Sequence, residues 1–269
     1  MRNFGFKIVD SAPGQFEAVL DYAIGKQLPI EVGMYHLDPA AHELLRDRLG
    51  RRPVPVAAHT HHERCHVFNF HQTLELLASH IAQARAVGSL YSVVHAANMP
   101  LTARPEKQAA LIAHLLDNLE RAEALCAECD YRLHVENVYH RLGFYRRLFE
   151  GVSERGLGRI HFCFDIGHAK VWSSETLDEW LAFLDELMGR DIRLHFHLHA
   201  NQGLIDEHLT LAQAQARGIC GPDGYFNGDG YPGAYRTIGR RFPEATKVFE
   251  VNPDQAIANL EAALAGAAA

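Results

Sequence analysis

The 269-residue chain carries 26 Lys and Arg against 33 Asp and Glu, a formal net charge of −7, and is 48% hydrophobic and 22% charged. That length fits one large α/β domain with an ample core, its apolar runs fall short of the roughly 20 residues a membrane span needs, and its acidic balance gives no global attraction for nucleic acid or an anionic membrane surface. Five cysteines without regular spacing argue against a disulfide framework, and MRNFGFKIVDSAPG lacks the basic flank, apolar block and cleavage site of a secretory signal, so a cytoplasmic location is the expectation.

In chain order, β-rich segments alternate with amphipathic ones. NFGFKIV (3–9) precedes the helical GQFEAVLDYAIGKQ (14–27), and PIEVGMY (29–35) precedes DPAAHELLRDRLG (38–50). VPVAAHT (54–60) precedes TLELLASHIAQARAVG (73–88), in which Leu74, Leu77, Ile81 and Ala84 form one apolar stripe and Gly88 suits a C-terminal cap. LYSVVHA (90–96) precedes KQAALIAHLLDNLERAEALCAE (107–128), and RLHVENV (132–138) precedes GFYRRLFEGVSERGL (143–157). RIHFCFDIG (159–167) precedes ETLDEWLAFLDELMGR (175–190), IRLHFHLHA (192–200) precedes an ill-defined region with PGAYRTIGRR (232–241), and TKVFEVN (246–252) precedes DQAIANLEAALAG (254–266).

Eight strands each followed by a helix is the count of a (β/α)8 TIM barrel, with a parallel sheet buried on both faces. A doubly wound sheet would want a Gly-rich turn after its first strand, and VDSAPGQ is not one. No linker, charge block or low-complexity segment interrupts residues 1–269, which read as a single domain; the tail AALAGAAA is expected to fray. The stretch from Asn201 to Tyr231 is the longest irregular one, and long loops in compact domains are more often functional than accidental. Cys126 and Cys129 form a CxxC with no second pair, and read as small apolar helix residues.

In such a barrel the active site is built where the strands finish. The third ends in His59, the fourth in His95, the fifth in Glu136, the sixth in Asp165 with His168 just beyond, the seventh in His197 and His199, and the eighth in Glu250. Any one alone reads as a hydrogen-bonded core or rim group. Together they would repel or go unsatisfied without a cation, because an unpaired buried charge is costly. The mixed oxygen and nitrogen set suits Zn2+ or Mn2+. Alternation along a strand puts His195, His197 and His199 on one face, and Arg132, His134 and Glu136 on another. His134, His161 and His195 then fall deeper in the barrel, as packing or supporting groups.

In order and spacing these residues resemble the xylose-isomerase-like TIM-barrel superfamily, which includes sugar isomerases and epimerases and the endonuclease IV enzymes. IEVGMY resembles its second strand, VVHA its fourth, HVEN its fifth, FDIGHA its Asp-x-x-His, HLHAN its seventh, DEHL the loop that follows and FEVN its last Glu. The resemblance covers essentially the whole chain. Its isomerase branch implies one divalent ion held by Glu136, Asp165, His197 and Glu250. Its endonuclease IV branch implies three zinc ions: His59, His95 and Glu136 on one, Glu136, Asp165, His197 and Glu250 on the second, and His168, Asp206 and His208 on the third. The chain departs from the pattern at Ala200, where an Asp is usual, and at TLAQAQARG, where a Gly-rich stretch is usual. It also reads HTHHERCH where the endonuclease branch would show His-Ala-Pro-Tyr. That departure leaves His61, His62, His66 and His71 unassigned, with His61 an alternative ligand.

The resemblance implies a metal-dependent isomerase or epimerase for a small sugar, polyol or hydroxy-ketone, acting through a metal-stabilised enediolate. Glu136 and Glu250 would move the proton, since taking it from one face and returning it to the other needs two bases. The alternative is a trinuclear zinc phosphodiesterase, for abasic DNA or another phosphodiester, in which the metals generate a hydroxide. The acidic balance and rim loops poor in basic and aromatic residues favour a sugar-like small molecule over nucleic acid as the partner. A third, non-enzymatic reading is a metal-stabilised binding domain. No segment reads as a dimerisation element, although barrels of this class often self-associate into homo-oligomers.

Overall fold

The computed structural model describes residues 3–8, 13–34, 39–50 and 54–268. Eight parallel strands close on themselves: β1 (Phe4–Ile8), β2 (Ile30–Gly33), β3 (Val56–His59), β4 (Ser92–His95), β5 (Leu133–Glu136), β6 (Ile160–Asp165), β7 (Leu194–Leu198) and β8 (Thr246–Phe249), with β8 pairing back to β1. Each lies inside its sequence-predicted segment, so the architecture is the expected (β/α)8 TIM barrel. The turn at VDSAPGQ falls mostly on residues outside those described, as do Val9, Tyr35 and Asp38 of the predicted elements.

Alternation divides every strand between two cores. In β6, Phe162 and Phe164 pack outward against Phe149, Phe183 and Trp180 of the helical shell, while His161, Cys163 and Asp165 face the axis. Register then aligns the strand ends: His95 stands beside Glu136, and Asp165 beside His197. Strand pairing thus gathers the strand-end candidates at one rim.

The shell comprises α1 (Pro13–Lys26), α2 (Pro39–Leu49), α3 (Phe70–Ala86), α4 (Pro105–Cys129), α5 (Leu142–Glu154), α6 (Ile166–Trp172), α7 (Leu177–Met188), α8 (Leu211–Ala216), α9 (Gly230–Arg241) and α10 (Pro253–Ala268). Four points differ from the sequence reading. The sixth strand stops at Asp165 because that side chain accepts the His168 N–H and caps α6, so IGH is helix and not strand. A helical turn, α8, lies in the stretch read as irregular, started by a capping box of Thr210 and Gln213. α3 begins at Phe70, before the predicted Thr73, and that Thr sits at a kink. The alanine-rich tail does not fray but continues α10 to Ala268, as expected of the best helix-forming residue. Cys126 and Cys129 close α4, and no helix among the described residues is long and apolar enough to cross a membrane.

Candidate metal centre

Glu136, at the end of β5 and 1% exposed, is the hub of the rim. Its Oε2 lies 3.0 Å from His59 Nε2 and 3.2 Å from His95 Nε2, and its Oε1 lies 3.1 Å from His168 Nδ1 and 3.2 Å from His197 Nδ1. Burial would raise the pKa of this carboxyl, but the neighbouring imidazoles, His197 first, hold it well below the ordinary value.

Asp165 is clamped from both sides. Its backbone N–H donates to Asn137 Oδ1 at 2.7 Å, and its Oδ1 accepts from the His168 N–H at 2.7 Å, which leaves the carboxylate facing His199 Nε2 at 3.1 and 3.2 Å. At Ala200 the chain forms a bridge with Leu209, which folds the 206–208 segment back over the rim. Asp206 Oδ2 then meets His168 Nε2 at 3.1 Å and His208 Nε2 at 2.8 Å. His208, in the left-handed region at φ 50, stacks on His199 with ring centroids 4.1 Å apart. Glu250, just past β8, places Oε2 3.1 Å from His197 Nδ1.

All nine residues carried over from the superfamily pattern meet at this rim. Two further ones had no role in the sequence reading: Lys7 of β1, whose Nζ is 2.7 Å from Glu250 Oε1, and Glu31 of β2, whose Oε2 is 2.9 Å from His197 Nε2. The signal for Glu31 was the IE of the second strand; for Lys7 there was only a charge within an apolar strand. Of the unassigned loop histidines, His62 lines the rim cavity with its ring 5.7 Å from that of His95. His61 packs beside His62 at 5.9 Å, His66 is buried away from the cavity lining, and His71 points outward against His114 of α4. The deeper histidines are buried as a group: His134 contacts His161 and Tyr91, and His195 contacts Glu31.

The donor set suits a divalent cation. His197 Nδ1 lies 3.2, 3.8 and 3.1 Å from oxygens of Glu136, Asp165 and Glu250, the spacing expected between donors that share an ion at about 2.0–2.2 Å. Several triplets hold their donor atoms within 4.8 Å of one another, among them His59 with His95 and Glu136, His168 with Asp206 and His208, and, below the rim, Glu31 with His59 and His197. Beside the fixed charge of Lys7, the chain's own imidazoles answer the crowded carboxylates by holding protons. Despite burial, the acids around them raise His168 and His197 well above the ordinary imidazole value, and raise His208 to about 9. Glu250 Oε2 and His199 Nδ1, both buried, complete no hydrogen bond. A cation would replace those protons and engage the oxygen.

No family model and no curated protein matches the chain. Solved structures match over nearly its whole length. Protein TTHB071 of Thermus thermophilus, soaked with ZnCl2, superposes with a TM-score of 0.67 at 23% identity, over 98% of both chains. A D-tagatose 3-epimerase-like protein gives 0.69 at 14% identity, over 99% of this chain and 98% of that one. The IolI protein with a bound zinc atom gives 0.65 at 12% identity, over 99% and 95%. The chain is thus a closed eight-stranded (β/α)8 barrel whose structural neighbours include xylose isomerase domain proteins and a D-tagatose 3-epimerase-like protein.

Proposed function

We propose that the protein is a divalent-metal-dependent isomerase or epimerase of a small sugar, polyol or hydroxy-ketone, with its active site at the C-terminal ends of the strands. The observation that carries this reading is the shape of the rim cavity. It measures about 280 Å3 and is lined by Glu136, Glu250, Lys7 and His62 below, with Tyr139 and Trp172 forming an edge-to-face wall. That is smaller than the roughly 300–1,000 Å3 of clefts that take drug-sized ligands, and it suits a few-carbon polyol better than a nucleic-acid strand.

Glu136, Asp165, His197 and Glu250 would hold the cation, with zinc or manganese suited to their mixed donors. When bound, it supplies positive charge beside adjacent substrate oxygens. Glu136 and Glu250 reach His197 Nδ1 from different strands, β5 and the end of β8, and so flank the centre of the cavity. One carboxylate takes the proton α to the carbonyl and the other returns one to the opposite face. Lys7, at 2.7 Å, keeps Glu250 ionised for this work. Tyr139 and Trp172 offer an apolar face to the substrate's C–H groups and narrow the entry of water.

The test is exchange of solvent deuterium into the α-carbon of ketoses and aldoses by zinc- or manganese-loaded protein. Glu136→Gln and Glu250→Gln, folded and metal-loaded, should each lose about 100- to 10,000-fold. Full exchange in both variants would remove the two-base reading, and no exchange by folded, metal-loaded wild type would favour a binding domain.

A second reading, a trinuclear zinc phosphodiesterase, is favoured by the donor triplets of His59, His95 and Glu136 and of His168, Asp206 and His208. Three zinc ions per chain with cleavage of a phosphodiester, and no carbon-bound exchange, would establish it in place of the isomerase.

A further inference from the structure

We infer that Glu31 is the positioning residue of the metal centre: it fixes which nitrogen of His197 faces the cation, and is itself held by a buried chain that begins at the opposite mouth of the barrel. This rests on reading His197 as a ligand. Glu31 is fully buried and absent from the lining of the rim cavity, so it does not reach a substrate there. Its Oε2 lies 2.9 Å from His197 Nε2, the nitrogen turned away from the rim. A neutral imidazole that offers a lone pair at Nδ1 must carry its proton on Nε2. A carboxylate accepting that proton selects the tautomer, fixes the ring plane and raises the basicity of the free nitrogen.

The same oxygen lies 2.7 Å from His195 Nε2, and His195 Nδ1 lies 2.9 Å from the Tyr91 hydroxyl. Tyr91 precedes β4 and lines a cavity of about 790 Å3 together with Arg132, Leu194 and Thr246, at the N-terminal ends of their strands, and Phe242, just past α9. Three side chains, Tyr91 before β4, His195 of β7 and Glu31 of β2, thus run along the axis from that end to His197. Lys7 Nζ, 3.6 Å from Glu31 Oε1, balances the charge from the side. Stability gives little reason for a carboxylate here. Buried ion pairs are often no better than apolar side chains of the same volume, and the barrel interior could take one. Orientation of a ligand does give a reason, because the partners that hold a metal-binding imidazole commonly decide its affinity.

The experiment measures zinc affinity of metal-stripped protein by competition with a chromophoric chelator, alongside the thermal midpoint of each metal-free variant. Glu31→Gln is expected to fold and to bind zinc about 10- to 100-fold more weakly. Tyr91→Phe, far from the rim, should show a smaller loss in the same direction with its midpoint little changed. Glu136→Gln serves as the rim control. If folded Glu31→Gln binds zinc as wild type does while Glu136→Gln loses it, the inference is overturned and the metal centre stands. If folded wild type takes up no zinc, the ligand reading falls and the inference with it. Should Glu31→Gln fail to fold, Tyr91→Phe decides, and wild-type affinity in that variant overturns the inference.

Discussion

Lys7 is a fixed positive charge among acids. It is 3% exposed, with Nζ 2.7 Å from Glu250 Oε1 and 3.6 Å from Glu31 Oε1. Removing one partner of a buried pair typically costs about 3–5 kcal/mol, since the other is left uncompensated. Lys7→Met should therefore destabilise the metal-free protein by that order, and added zinc should recover more stability in the variant than in wild type. Calorimetric melting with and without zinc checks this; equal zinc-induced shifts in the two proteins would show that Lys7 does not share its carboxylates with the cation. Neither Lys7 nor Glu31 had a role in the sequence reading: each is a single charge in a short apolar strand, marked for Glu31 only by the IE of the second strand. Only pairing of β1 with β2, which sets Lys7 beside Glu31, and closure of β8 onto β1 bring them to Glu250. Glu136, Asp165, His197 and Glu250 were legible for the opposite reason: they sit at or beside strand ends, and a closed barrel brings all strand ends to a common rim.

At the scale of elements, α6 joins the sixth and seventh strands through one missing side chain. A Cβ on Gly167 would lie 2.0 Å from His199 Cε1 and 2.4 Å from His199 Nε2, the nitrogen that meets Asp165. The glycine is what lets the first turn of α6 close over β7 while Asp165 caps it. Gly167→Ala should force the His199 ring off Asp165, costing about 1–3 kcal/mol as an overpacked core position and weakening zinc binding. A thermal midpoint and a zinc affinity both equal to wild type would show that the ring gives way without consequence. α6 and α8 escaped the sequence reading because seven and six residues span at most two turns, too few to display a helical period. Their caps, Asp165 before IGH and Thr210 three residues before Gln213, are seen only in the structure. The long amphipathic segments carried enough period to be placed, except the region around PGAYRTIGRR, which stayed ill-defined.

Across the whole molecule the histidines divide by surroundings, and this gives the metal-free protein a two-sided pH dependence. His66, His80, His140 and His161 are pushed down to about 4 by burial. Below the ordinary value of 6.5 the unfolded chain binds protons that these sites refuse, so stability is present above 6.5 and is lost as pH falls towards 4. His208 works in the other sense: Glu250 and Asp206 outweigh its burial and raise it to about 9, so its contribution is present below 6.5 and is lost as pH rises through 9. His168 and His197, raised by the same crowd of acids, add to the alkaline loss. Metal-free protein should therefore be most stable near pH 6.5. Urea unfolding at a series of pH values should show uptake of more than one proton on the acid side, reduced by about one in His80→Gln. Zinc should flatten the alkaline limb, because the cation takes over the counter-charge those protons supplied, and should steepen the acid limb, because protons compete for its ligands. An alkaline limb of the same slope with and without zinc would mean that the cation and the raised histidines do not share the rim.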